Sequence, residues 1–315
     1  MYYCYLRAKQ YELLAVRSCL PKIVQKNMAI IIEPVRENNR DLYSCLRDAK
    51  NENARLILIV NPKCGELEGN ERLTEELIKG AIELYPQVGL GFIVDDTTSP
   101  TQVTSFFNAY LQQAKSIIHK SSYVNAQQLL SIELSDRLFK SNIFIEGKCS
   151  ASYVSNFNQT FKVLVHDGLN RTQTNAGYAN NIIEFFSDLY LNYRQIGFQG
   201  FGDFSIVGDH FVEGGGQAVT AVIHVTYEDT DKTQILAHHF LSDPRVAAED
   251  VAILIDEALE KLEAFITSQR PDILNWSTAC KELIAIYNTP GERTNLAYIK
   301  KMTIKHHFEL MHNIL

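Results

Sequence analysis

The chain has 315 residues, which is enough for two average domains or one large α/β barrel. Its 30 Lys and Arg residues against 37 Asp and Glu residues give a formal net charge of -7, so the overall charge does not support direct binding of nucleic acid. The six cysteines include no C-x-x-C pair, and no apolar run is as long as a membrane span, which excludes a zinc cluster and favours a cytoplasmic protein with no membrane contact.

Eight short β-branched runs are the predicted strands. In chain order they are 29–35, 55–62, 88–96, 116–122, 142–148, 162–168, 201–208 and 218–229. An amphipathic helix within 1–27 is predicted ahead of the first strand, and helical patterns with Asn or Ser caps separate the early strands. This alternation predicts parallel pairing and a TIM-type (β/α)8 barrel, with an open doubly wound sheet as the alternative.

The last two predicted strands fit a regular barrel poorly. About ten residues separate them, whereas a helical crossover needs roughly a dozen, so either the helix is missing or the strands pair antiparallel. The D-T-D-K turn at 229–232 predicts an added hairpin, and 246–270 predicts the last barrel helix. We therefore expect one barrel domain at 1–270 and a C-terminal helical extension at 271–315 packed on it.

Polar residues follow the carboxyl ends of the predicted strands, where barrels of this class carry their active sites. They are Glu33, Asn61, Asp95, His119, Glu146, His166 and Asp167, with Asp203 near the start of the seventh run and His224 within the eighth. Strands also end in polar residues simply because they finish at the surface. As a group, however, these residues predict a carboxylate-rich barrel mouth.

Two kinds of chemistry fit such a mouth. With a metal, Glu33 and Asp203 would be the ligands of Mg²⁺ or Mn²⁺, and His166 or His224 would be the general base or acid. The full set of catalytic candidates is Glu33, Glu146, His166, Asp167, Asp203 and His224. Without a metal, paired carboxylates can still perform acid–base catalysis. No metalloprotease, Walker or G-x-S-x-G motif is present to decide the reaction.

Three further residues are candidate ligand-binding groups, together with Asn61, Asp95 and His119. Gly215 lies in the E-G-G-G-Q loop at 213–217, which is either a permissive loop or a phosphate-binding one. Arg171 belongs to a polar segment at 166–181 that would cover the mouth or remain a solvated loop. Lys148 is a Schiff-base lysine or, more commonly, an ion-pair partner of Glu146.

Four segments resemble the phage beta-protein family and its bacterial relatives. They are YLRAKQYELLAV at 5–16, AIIIEPV at 29–35, GFGDFSIVGD at 200–209 and AVIHVTY at 221–227. The resemblance implies a β/α-barrel-like protein encoded near phage-defence genes, in some cases beside a predicted nuclease. It assigns no catalytic roles. We expect a hydrolase or phosphodiester-type enzyme, or alternatively a non-catalytic module that senses a ligand or docks a nuclease-like partner.

Overall fold

The computed structural model describes residues 1–213, 219–243, 245 and 250–315. The chain forms two compact units, each built from three segments. The barrel unit comprises Met1–Gln10, Ile23–Asp167 and Leu189–Phe204, and the second unit comprises Tyr11–Lys22, Gly168–Asp188 and Ser205–Leu315. The domain boundary predicted at residue 270 coincides with none of these segment ends.

The barrel unit is a closed barrel of parallel strands, so the predicted TIM-type α/β fold is confirmed. In their order around the barrel, the strands are β1 (Tyr2–Arg7), β2 (Ala29–Glu33), β3 (Arg55–Ile59), β4 (Gly89–Val94), β5 (Lys115–His119), β6 (Phe139–Ile145), β7 (Lys162–His166) and β9 (Gly200–Asp203). The barrel closes where β9 pairs with β1, with Cys4 opposite Asp203. Its interior is filled mainly by tyrosine and β-branched side chains.

Helices connect most of the barrel strands. They are α2 (Arg40–Glu52), α3 (Glu71–Leu84), α4 (Pro100–Ala109), α5 (Ala126–Ser135), α6 (Ala151–Ser155) and α7 (Leu189–Asn192). Local sequence sets where they begin: Ser99 and Gln102 form a capping box around Pro100, and Asn70 accepts a hydrogen bond from the backbone N–H of Leu73. Their apolar stripes are buried.

The predicted strand set was wrong at one place. The missing barrel strand is β1, in the region where only a helix was predicted, whereas 218–229 contributes a strand to the second unit instead. All six residues of β1 are buried, and tyrosine favours strands. The helical pattern starts later, at Gln10, where α1 (Gln10–Gln25) begins.

The seventh predicted run is shorter than expected. The strand β9 ends at Asp203, and Ser205–Val207 forms a 3-10 helix in the second unit. A Cβ atom on Gly202 would lie 2.0 Å from the carbonyl oxygen of Tyr3, so a larger residue would push β9 away from β1. Gly202 is therefore required for the close pairing of β9 with β1.

The second unit contains an antiparallel sheet in the order β10-β11-β8. Its elements, besides residues 11–22 of α1, are a 3-10 helix at Asn175–Asn180, β8 (Ile183–Ser187), β10 (Val222–Glu228), β11 (Ile235–Leu241), α8 (Val251–Ser268), α9 (Ile273–Trp276), α10 (Thr278–Asn288) and α11 (Leu296–Ile314). The predicted hairpin is confirmed as β10 and β11. The predicted last barrel helix is α8, but it shares an apolar core with β10 and β11.

Candidate functional site

The carboxylate of Glu33 is the centre of a charged cluster at the carboxyl end of the barrel. The side chain is fully buried, and its Oε2 atom lies 3.8 Å from Nε of Arg7 and 3.7 Å from Nζ of Lys120. Tyr5 donates its hydroxyl to Oε2 at 2.9 Å, and the backbone N–H of Lys63 donates to Oε1 at 2.8 Å. Glu33 therefore holds two cations at the mouth.

Strand alternation explains why these side chains meet. Tyr5 and Ile31 belong to the apolar interior, and Arg7 and Glu33 lie two residues further along the same two strands. They are paired in register where β1 meets β2. Lys120 likewise lies two residues beyond the interior residue Ile118. The charged layer thus continues the apolar interior layers toward the mouth.

Aromatic rings lie beneath the two cations. The guanidinium carbon of Arg7 is 5.5 Å from the ring centroid of Tyr5 and 5.4 Å from that of Phe204. Nζ of Lys120 is 5.7 Å from the Tyr5 ring. Contacts of this kind stabilise a cation over an aromatic face. Both cations are therefore stabilised by cation–π contacts as well as by Glu33.

A second ion pair lies at the ends of β3 and β4. Nζ of Lys63 is 2.8 Å from Oδ2 of Asp95, and Thr97 and Thr98 donate to Oδ1. Burial acts to raise the pKa of Asp95, but these hydrogen bonds outweigh it and lower the pKa to about 2. Asp95 is therefore ionised and paired with Lys63.

The side-chain amide of Asn61 is used within the barrel wall. It donates to the carbonyl of Ile93 and accepts from the backbone N–H of the same residue, each at 2.8 Å. Both polar atoms of the amide are thus engaged by β4. The Asn61 side chain therefore links β3 to β4, and its amide is occupied by these hydrogen bonds rather than directed to a ligand.

The charge of this cluster differs from the sequence prediction. Three cations, Arg7, Lys63 and Lys120, face two carboxylates, Glu33 and Asp95. Cys64 also lies in this environment, but burial raises the pKa of its thiol to about 11, which makes it a poor nucleophile at neutral pH. This cluster of five charged side chains therefore contains one more cation than carboxylates.

Asp203 lies on the other side of its strand. The next residue, Phe204, belongs to the barrel interior, whereas Asp203 accepts a hydrogen bond from the Tyr2 hydroxyl at 2.7 Å. In the register of β1, Asp203 is opposite Cys4 and Glu33 is opposite Arg7, three residues further along. The structure therefore does not bring Glu33 and Asp203 together as metal ligands.

The described residues also contain no group of three or more His, Cys, Asp or Glu side chains arranged to hold a metal ion. Glu33 is already contacted by two cations and two hydrogen-bond donors. A divalent ion would have to displace these groups. The residues therefore do not fit the predicted Mg²⁺ or Mn²⁺ site.

His166 and Glu146 form a dyad at the carboxyl ends of β7 and β6. Each directly follows an interior residue, Val165 or Ile145, so both lie on the outer side of their strands. Nδ1 of His166 makes a short contact with Oε2 of Glu146, and this hydrogen bond lowers the pKa of the carboxyl group. Both side chains are partly exposed. A carboxylate that orients an imidazole is a common arrangement for a general base. Asp167 follows His166 directly and is the last residue of its barrel-unit segment.

Lys148 does not pair with Glu146. It is exposed in the turn after β6, where Gly147 has a φ of 71°, and its backbone N–H donates to the carbonyl of Ile145. Glu146 instead pairs with His166. The ion pair predicted between Lys148 and Glu146 is therefore absent from the described residues.

His119 is buried outside the barrel interior, against α6. Nδ1 lies 2.8 Å from the Tyr153 hydroxyl, Nε2 lies 2.7 Å from Oδ1 of Asn142, and the ring stacks on Phe144. Burial lowers the pKa of His119 to about 3, so the imidazole is neutral. Its position and saturated hydrogen bonds give it a structural role.

The remaining candidates belong to the second unit or lie outside the described residues. Nδ1 of His224 is 2.7 Å from Nδ1 of His239, whose Nε2 lies 3.2 Å from a carboxylate oxygen of Glu184. Arg171 donates to the backbone carbonyl of His210 at 3.4 Å. Gly215 lies outside the described residues. Neither His224 nor Arg171 belongs to the cluster around Glu33.

A scan against models of known protein families finds no match for the chain, and a search of curated proteins finds none either. No helix among the described residues is long and apolar enough to cross a membrane. The functional argument therefore depends on the geometry of the barrel mouth.

Proposed function

We propose that the chain is a hydrolase of phosphoester or phosphodiester substrates that acts at the barrel mouth. The observation that carries this proposal is the convergence of Arg7 and Lys120 on the buried carboxylate of Glu33. Guanidinium and ammonium groups bind phosphate oxygens through charge-assisted hydrogen bonds. The carboxyl end is also where barrels of this class carry their active sites.

Glu33 has a positioning role in this proposal. Its two oxygens accept from Tyr5 and Lys63 and face both cations, so the carboxylate fixes where the positive charge lies. The side chain of Lys120 is 22% exposed and a lysine has three N–H donors, so this cation can contact Glu33 and a phosphate at once. The site is thus preorganised for an anion.

The general base would come from the His166–Glu146 dyad. His166 is paired in register with Asp203 on the outer side of β7, so the substrate would extend from the Glu33 cluster over the rim of the barrel to reach it. With Nδ1 of His166 hydrogen-bonded to Glu146, Nε2 becomes the basic nitrogen of the ring. It would accept a proton from the water that attacks phosphorus. The leaving oxygen would depart with the bonding electron pair and take up a proton from solvent.

The resemblance of four segments to the phage beta-protein family supports a role in phage defence, alongside a nuclease-like partner. The second candidate function is a non-catalytic module that senses an anionic ligand. It is favoured by one observation, that Glu33 and Asp95 are both engaged by cations of the chain itself.

A direct test measures phosphate binding and the hydrolysis of bis(p-nitrophenyl) phosphate by the purified chain. Lys120→Met should weaken phosphate binding about tenfold, because it removes one of the two cations held by Glu33. Lys140→Met is the matched control, since Lys140 is exposed near the start of β6, at the opposite end of the barrel. It should bind phosphate as the wild type does.

His166→Asn separates the two candidate functions. For a hydrolase, this variant should lose about a hundredfold or more in kcat while phosphate binding is retained, because only the base is removed. Phosphate binding without hydrolysis in the wild type would favour the sensor. A wild type that binds no phosphate would contradict both.

A further inference from the structure

The second unit contains a cavity of about 510 Å³ between α8, β11 and the 3-10 helix at Asn175–Asn180. Its walls are mostly apolar and include Ala176, Ala179, Phe240, Ala264 and Phe265. This volume falls within the range of small-molecule sites in proteins, which is about 300–1,000 Å³. The cavity is lined by second-unit residues only.

Two buried polar atoms of the lining residues have no hydrogen-bond or ion-pair partner within the described ranges. They are Nδ1 of His238 and Oγ1 of Thr220, whose residues are 9% and 3% exposed; a third atom, Nε2 of His239, also makes no hydrogen bond within these ranges but lies 3.2 Å from a carboxylate oxygen of Glu184. A buried polar group left unpaired costs about 1–3 kcal/mol, so such groups are rare. Each of these atoms needs a partner that the described residues do not supply, such as an ordered water or a ligand.

The ring of His238 is held in place by two phenylalanines. It stacks on Phe240 at 4.0 Å between ring centroids and meets Phe265 edge-on at 4.5 Å. Burial lowers the pKa of His238 to about 4, so the ring is neutral at pH 7. A neutral imidazole nitrogen can donate or accept one hydrogen bond, as the hydroxyl of Thr220 can.

The charges at this cavity balance each other. Nζ of Lys261 lies 2.8 Å from Oδ1 of Asp243 and 2.7 Å from the carbonyl oxygen of Leu241, so its positive charge is already compensated. An anionic ligand would have to compete with Asp243, and a cationic ligand with Lys261. The cavity therefore favours an uncharged ligand.

We propose that this cavity binds a neutral, flat aromatic heterocycle that forms hydrogen bonds with Nδ1 of His238 and Oγ1 of Thr220. The small side chains of Ala176, Ala179 and Ala264 leave room for a planar ring, and Phe240 and Phe265 provide aromatic contacts. This binding site is independent of the phosphate site proposed at the barrel mouth, since every residue that lines it belongs to the second unit.

The test compares two probes of the same shape by calorimetric titration at pH 8. Benzimidazole has one N–H donor and one nitrogen acceptor, whereas indene has neither. Wild-type protein should bind benzimidazole at least fivefold more tightly than indene, because one hydrogen bond is worth about 1 kcal/mol. His238→Phe and Thr220→Val keep the side-chain shapes and should each reduce this preference.

Ala264→Trp should abolish binding of both probes by filling the cavity, and the accessible position of Ala264 makes the variant compatible with folding. Ile253→Trp is the matched control, because Ile253 is exposed on the same helix and does not line the cavity. Equal binding of benzimidazole by wild type and Ala264→Trp would overturn the proposal. So would a wild type that binds neither probe at millimolar concentration, or one that binds both equally.

Discussion

Asp203 and Glu33 are both buried carboxylates of the barrel unit, yet their neighbours differ in kind. Asp203 accepts a hydrogen bond from the neutral hydroxyl of Tyr2. Glu33 faces the cations Arg7 and Lys120. The first arrangement links two barrel strands at their outer face, and the second holds positive charge at the mouth.

We expect Asp203→Asn to reduce the free energy of unfolding without affecting phosphate binding. The change weakens a buried hydrogen bond to a charged group, a type of bond worth about 1.5–3 kcal/mol. Tyr2→Phe removes the same bond from the other side and should cost a similar amount. Urea unfolding measures both. A loss of phosphate binding at unchanged stability would place Asp203 in the site after all.

The candidate site could be predicted from the sequence only in part. Glu33 and His166 were found because polar residues that follow apolar strands are visible in one dimension. Lys120 directly follows the strand residue His119 and could have been found in the same way. Arg7 could not, because its strand was read as part of a helical segment. The side chain of Asp203 was predicted to face the mouth, but it faces outward. In a glycine-rich run the sequence shows no apolar alternation that would tell which residues face the interior.

At the scale of elements, β9 is the strand most sensitive to side-chain size. It is only four residues long, and the position of a Cβ on Gly202 coincides with the backbone of Tyr3. A backbone atom cannot move aside as a side-chain end can. The pairing of β9 with β1 therefore depends on Gly202.

Gly202→Ala should destabilise the barrel unit by about 1–3 kcal/mol or more, because it overpacks the β9–β1 contact. The matched control is Gly80→Ala in α3, where the new Cβ would meet only the hydroxyl end of Tyr43. There the gain in helix propensity of about 1 kcal/mol offsets the contact. Thermal unfolding of the two variants tests the difference, and equal melting temperatures would contradict it.

The strands from β2 to β7 were predictable because each is a β-branched run between helical patterns. The first strand was not, since a tyrosine-rich run next to a helix has no distinctive pattern. The run at 218–229 was correctly predicted to be a strand, but strand propensity does not specify which sheet a strand joins. The short connection ahead of it indicated the departure from regular β/α alternation.

At the scale of the whole molecule, buried histidines are distributed unevenly between the units. In the second unit, burial lowers the pKa of His224 to about 3 and that of His238 and His306 to about 4, from a usual value of 6.5. The barrel unit has His119, with a pKa of about 3, but also Glu133, whose pKa burial raises to about 8. The stabilities of the two units are therefore expected to respond differently to acid.

We expect the second unit to lose stability first as the pH falls from 6.5 to 4.5. His224, His238 and His306 stay neutral when folded and take up protons when unfolded, so each lowers the free energy of unfolding by about 1.4 kcal/mol per pH unit. In the barrel unit, His119 lowers the free energy of unfolding in the same way. Between pH 4.5 and pH 8, however, Glu133 is protonated in the folded state and ionised in the unfolded state, so it raises the free energy of unfolding as the pH falls. The two groups compensate in this window.

Hydrogen exchange at pH 6.5 and pH 5, resolved by peptide, measures this difference. Amides of β10, β11 and α11 should lose protection, and those of β2 to β7 should retain it. The variant His238→Phe removes one of the three groups and should make the pH dependence of the second unit shallower. An equal loss of protection in both units would contradict the assignment.

The pairing of β1 with β9 has a consequence for synthesis of the chain on the ribosome. Residues 2–4 gain their second neighbouring strand only when residues 201–203 have emerged, which takes roughly 10–40 seconds at ordinary translation rates. During that interval one edge of β1 has no partner from β9, and unpaired strand edges promote association between chains. We therefore expect the nascent chain to expose this strand edge to chaperones that bind near the ribosomal exit tunnel.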